Sequence, residues 1–76
     1  MSEVEPMKHK RGDRVTFRDE AGERVPGIVN GGVRRHNGDF YTIRPIRIAQ
    51  RGKLKREEVS RSSVLVVGEM VEGVNR

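Results

Sequence analysis

From Asp13 to Arg18 apolar and polar residues alternate, with Val15 and Phe17 on one side and Arg14, Thr16 and Arg18 on the other. A period of two belongs to a strand with one face buried. Asp19-Glu20-Ala21-Gly22 follows as a polar turn ending in glycine. Residues 24–30 read as a second strand with Pro26-Gly27 inside it. Proline cannot donate to a ladder, so this strand is expected to begin at an edge or to carry a bulge. Asn30-Gly31-Gly32 and His36-Asn37-Gly38-Asp39 both carry turn signals. Between them Val33-Arg34-Arg35 is expected at a loop tip or strand end.

Residues 40–48 are the most β-prone run of the chain, Phe-Tyr-Thr-Ile-Arg-Pro-Ile-Arg-Ile. Tyr41 and Ile43 share one parity, Ile46 and Ile48 the other, so the buried side is predicted to switch near Pro45 through a bend or bulge. Gln50-Arg51-Gly52-Lys53 reads as a turn, and residues 54–59 as a short strand with a helical turn over 56–59. Val64 to Val67 is the last predicted strand. Nine glycines leave no helical window before position 53. Residues 1–10 are expected to be a flexible lead-in and residues 68–76 a loose C-terminal tail. The body, residues 11–67, is therefore expected to be all-β: five short strands in one small barrel, since the chain is too short for a sandwich.

Composition narrows this further. Seventy-six residues make one domain, and a domain of this size buries only about 60% of its unfolded surface. The hydrophobic fraction is 33% and cysteine is absent, so the core must rest on aliphatics plus Phe17, Phe40 and Tyr41. A cysteine-free chain suits a reducing, cytoplasmic setting. No apolar run approaches the ~20 residues of a membrane span. Residues 1–7 carry Glu3 and Glu5 and lack the basic start and apolar middle of a signal peptide. The net charge is +5, unevenly spread. Between Lys8 and Arg56 stand fourteen Lys/Arg against five Asp/Glu; the remaining residues hold two against six. A basic body with acidic ends is the pattern of an anion-binding surface.

The order of these signals resembles the SH3-like small barrels, including the KOW and Tudor-like groups. Arg11-Gly12-Asp13-Arg14-Val15 resembles their K-G-D-x-V opening, and Gly27-Ile28-Val29 their G-x-V second strand. Gly38 to Ile43 matches their third strand, and Glu58-Val59 with Val64 to Val67 their closing 3₁₀ turn and last strand. The resemblance covers residues 10–67 and implies a single five-stranded SH3-like barrel. Two features of the subgroups are missing. Residues 19–23 lack the G-K-x-G loop of a full KOW motif. Three aromatic residues, two of them needed inside, are too few for a methyl-lysine cage.

Catalysis finds no footing in the sequence. His9 and His36 fall in the lead-in and a turn, no nucleophile elbow is present, and adjacent Glu57-Glu58 point in different directions. No enzyme activity, cofactor, metal or small-molecule substrate is expected. The basic residues suggest nucleic acid, RNA or duplex DNA, held by its phosphates without reading sequence. Three groups are candidates: Lys8, Lys10, Arg11 and Arg14 at the start of the body; Arg34 and Arg35, with His36, before the third strand; and Arg44, Arg47, Arg51, Lys53, Lys55 and Arg56 along the third strand and its hairpin. Arg34, Arg35, Arg47 and Lys53 are expected on one face, with Tyr41 as a stacking side chain if it faces outward. The alternative is a protein–protein adaptor. Such a module would dock a barrel edge on an acidic protein surface of a polymerase, ribosome or phage assembly, with Ile46 or Ile48 exposed at the interface. Monomer and edge-mediated oligomer are both compatible with the sequence.

Overall fold

The computed structural model describes residues 7–73. These form six strands: β1 (Arg14–Arg18), β2 (Arg24–Arg35), β3 (Gly38–Arg51), β4 (Leu54–Val59), β5 (Val64–Val67) and β6 (Val71–Gly73). A 3₁₀ turn at Gly68–Met70 joins the last two. All pairings are antiparallel. No helix among the described residues is long and apolar enough to cross a membrane.

β3 is the spine. Its first half pairs with β2 on one side and β5 on the other, while its second half, Ile46 to Arg51, pairs only with β4. β2 passes from β3 to β1, and β1 takes β6 as its outer neighbour. The sheet stays open: β5 and β6 lie at its two edges and do not pair. The expected closed five-stranded barrel is thus corrected to an open six-stranded antiparallel sheet. The sixth strand comes from the C-terminal stretch read as a loose tail, of which residues 68–73 are ordered as the 3₁₀ turn and β6. The closing 3₁₀ turn sits ten residues later than Glu58-Val59, which belong to β4. The helical turn expected over 56–59 is likewise strand.

The core explains why these residues choose strands. Val15 and Phe17, Val29, Tyr41 and Ile43, Val66 and Val71 are buried together, with Met7 and Val25 packed against them. Residues paired directly across antiparallel strands share a face, so Tyr41↔Val66, Val29↔Ile43 and Phe17↔Val71 stack inward as layers. Among the described residues no charged or amide side chain is buried. Gly27 lies where a Cβ would collide with Ile43 and press on the Phe17 ring, so a glycine allows the two layers to meet.

One local signal resolved differently from its sequence reading. Asn30-Gly31-Gly32 is no turn: β2 runs through it, and the register with β3 shifts between Val29 and Gly31. Asn30 is the extra residue of a bulge. The turn comes at His36-Asn37, closed by Gly38 at φ 130°. The switch of buried side at Pro45 holds: Tyr41 and Ile43 are buried before it and Ile46 after it. The lead-in also departs from expectation within its described part. Met7 packs on the core, and the His9 backbone N–H donates to Tyr41 Oη at 3.2 Å. The rest of the expected lead-in, residues 1–6, lies outside the described residues, as do residues 74–76 of the expected tail.

Candidate nucleic-acid interface

Beyond Pro45, β3 and β4 leave the sheet as a two-stranded arm closed by Gly52-Lys53, with Arg51 facing Leu54 across the turn. All six residues of β4 are exposed. The Cα radius of gyration is 14.1 Å, against about 11 Å for a compact chain of this length. The chain is correspondingly long, 58 × 24 × 24 Å. The arm is held at its base. Ile46, 4% exposed, is buried there. The Ser60 backbone N–H donates to Pro45 O at 2.8 Å, and Arg44 Nε donates to Ser60 O at 2.7 Å. Arg14 of β1 forms an ion pair with Glu57.

The register sorts the arm's side chains into two faces. Arg47, Ala49 and Arg51 of β3 share a face with Glu58, Arg56 and Leu54 of β4. Ile46, Ile48 and Gln50 share the other with Val59, Glu57 and Lys55. A hollow of about 390 Å³ opens against Ala49, ringed by Arg51, Leu54, Lys55, Arg56 and Glu58. Among the described residues no carboxylate pairs with Arg47, Arg51, Lys53, Lys55 or Arg56. These five cations occupy a hairpin whose only carboxylates are Glu57 and Glu58.

The other candidates are placed elsewhere or already engaged. Arg34 chelates Asp39 through Nε and Nη2, at 2.9 and 3.3 Å. Arg35 lies over the Phe40 ring, 5.9 Å from its centroid. Both end β2 beside the β2–β3 turn, at the opposite end of β3 from Lys53. That strand is roughly 40 Å long at 3.3 Å per residue. The expected single face of Arg34, Arg35, Arg47 and Lys53 is therefore not formed, because one long strand carries the two turns to opposite ends. Arg44 braces the arm. Lys10 and Arg11 sit in a turn fixed by Asp13: the Lys10 N–H donates to Asp13 Oδ2, and the Gly12 N–H donates to Val29 O.

Two further expectations are corrected. Tyr41 is 2% exposed and turned into the core, so it offers no stacking surface. Its hydroxyl serves His9, whose ring meets the tyrosine edge-on at 5.3 Å. Ile46 is likewise buried and offers no protein interface, whereas Ile48 is 59% exposed.

The structure also shows an apolar row that the sequence reading passed over. Val33, Phe40 and Val67 lie directly side by side on the outer face of three strands, with Leu65 two residues along β5. Val33, Leu65 and Val67 are exposed. The outward parity of Leu65 and Val67 on either side of buried Val66 was the available signal.

A second cleft, about 400 Å³, lies at the far end beside Lys8, His9, Tyr41 and Gly68. The carboxylates of Asp39 and Glu69 line it as well, which makes it a poor seat for phosphate. Comparison with known protein families, curated proteins and solved structures finds no match.

Proposed function

We propose that this chain is a non-catalytic, SH3-like cytoplasmic module, its sheet left open, that binds nucleic-acid backbone through the β3–β4 arm. One observation carries the reading. Five cations without carboxylate partners among the described residues are concentrated on a solvent-exposed hairpin that stands away from the core. An isolated two-stranded hairpin is marginally stable in water, and this one has no apolar interior of its own. Its charge is therefore a property of its surface, available to a polyanion. Phosphate neutralisation by Lys and Arg releases condensed counterions, so binding should weaken steeply with salt.

The test is a salt titration of binding to mixed-sequence duplexes, read by fluorescence anisotropy. Three to five arm contacts give a log–log slope of about −3 to −5 on B-form DNA. Absence of binding at low salt would overturn the reading.

A second reading, an adaptor for an acidic protein, is favoured by the outer row of Val33, Phe40, Leu65 and Val67 with Arg35 at its margin. Exposed apolar surface next to cations suits a partner that is apolar at its centre and acidic at its rim.

A further inference from the structure

Resting on the nucleic-acid reading, we infer that the arm's target is duplex DNA, entered through the major groove with the Arg47–Ala49–Arg51 face inward. Three observations converge on this. The first is shape. The arm is two strands wide, with neighbouring strands about 4.8 Å apart. A B-DNA major groove about 12 Å wide admits such a ribbon. The A-form RNA major groove is too deep and narrow for side chains to read.

The second is what the arm lacks. Sequence-tolerant single-strand binding rests on bases stacked upon aromatic side chains. Phe17, Phe40 and Tyr41 all lie before Pro45, and the arm, residues 46–59, contains no aromatic residue. Nothing on it would hold an unstacked base.

The third is the division of chemistry between the arm's surfaces. The Arg47–Ala49–Arg51 face carries three guanidinium groups, one carboxylate and two apolar side chains, and all of them except Arg47 border its hollow. Arginine pairs in bidentate fashion with the O6 and N7 of guanine, a carboxylate accepts from the cytosine amino group, and aliphatics meet the thymine methyl. Ala49 at the centre keeps the floor low. Lys53 at the turn is left for the phosphate walls, and Lys55, though of the opposite parity, reaches the rim of the same hollow. On the opposite face Glu57 is already committed to Arg14, so that side stays toward the body of the protein.

The experiment compares the unmodified chain on four probes of one mixed sequence at one salt concentration: duplex DNA, duplex RNA, single-stranded DNA, and duplex DNA whose cytosines carry glucosylated hydroxymethyl groups. The last keeps the phosphates and fills the major groove. The expected result is binding to plain duplex DNA about tenfold or more tighter than to each of the others, the worth of roughly one good base contact. Equal affinity for the glucosylated duplex, or for RNA or single strands, would overturn the groove assignment and leave the backbone reading standing. No salt-sensitive binding to any probe would overturn both.

Discussion

Arg14 Nη2 lies 2.8 Å from Glu57 Oε2, joining the first residue of β1 to the middle of β4 across 43 positions of sequence. This is the ion pair that ties the arm to the body. Both side chains are about half exposed, and pairs of that kind are worth under ~1 kcal/mol because water and salt screen them. A double-mutant cycle with Arg14→Ala and Glu57→Gln, read by denaturant unfolding, should give a coupling of about 0.5 kcal/mol at low salt. It should vanish in molar salt. A coupling that persists there would mean that the pair is better shielded than its exposure indicates.

Gly27 is expected to tolerate no side chain. An added Cβ would meet Ile43, lie 3.1 Å from the Arg44 carbonyl oxygen and lie 3.3 Å from the Phe17 ring. Two of these neighbours are core side chains and the third is backbone, so little can yield. Gly27→Ala should destabilise the fold by about 1–3 kcal/mol, the usual cost of overpacking, visible as a lowered thermal midpoint. An unchanged midpoint would show that the two layers have slack.

Reversing charge on the arm should separate its role from that of the β2–β3 turn. The triple variant Arg47→Glu, Arg51→Glu, Lys53→Glu should lose most oligonucleotide binding while its circular dichroism stays that of the parent. Arg34→Glu with Arg35→Glu, at the other end of β3, should change affinity by less than about threefold, the residue of long-range charge at physiological ionic strength. Equal losses from both variants would place the binding surface across the whole molecule.

Tyr41→Phe removes the acceptor of the His9 N–H and leaves the ring in place. The cost should be about 0.5–1.5 kcal/mol, that of one hydrogen bond. Because the bond holds the segment around Lys8 and Lys10, trypsin should cut there sooner in the variant. Unaltered cleavage would show that Met7, packed on Gly32, suffices to hold it.

The adaptor reading has its own test. Leu65→Asp lies on an exposed edge strand and should leave the fold and oligonucleotide binding intact. An acidic protein that binds the parent and the Leu65→Asp variant equally well would remove the apolar row from its interface.

Much of this architecture was legible because a half-buried strand imposes its period on the chain. Val15 and Phe17 in β1, and the switch from Ile43 to Ile46 across Pro45, could be read residue by residue. What escaped had local signals with two meanings. Asn30-Gly31-Gly32 suits a turn and a bulge equally, and only pairing with Thr42 and Tyr41 across the sheet decides between them. Val71 carries no periodic signal in a three-residue strand; its place comes from facing Phe17, 54 positions earlier. The cations were identifiable as a set but not as a surface. Their grouping depends on the length of β3, which the false turn at Gly31-Gly32 and the short reading of the third strand concealed. Tyr41 was ambiguous for a related reason: an aromatic in a strand can face either way until its partner, Val66, is known.

The position of β6 has a consequence for how the chain is made. Among the described strands β1 leaves the ribosome first and β6 last. Once Val67 has emerged, the chain can pair β1 with β2, β2 with β3, and β3 with β4 and β5. Until Val71 arrives, the outer edge of β1 remains without its neighbour and Phe17 without its layer partner. Synthesis at 5–20 residues per second makes that interval brief, but any stall after β5 prolongs it. The sticky intermediate of this fold is thus one in which five strands are paired and the earliest of them is still uncovered.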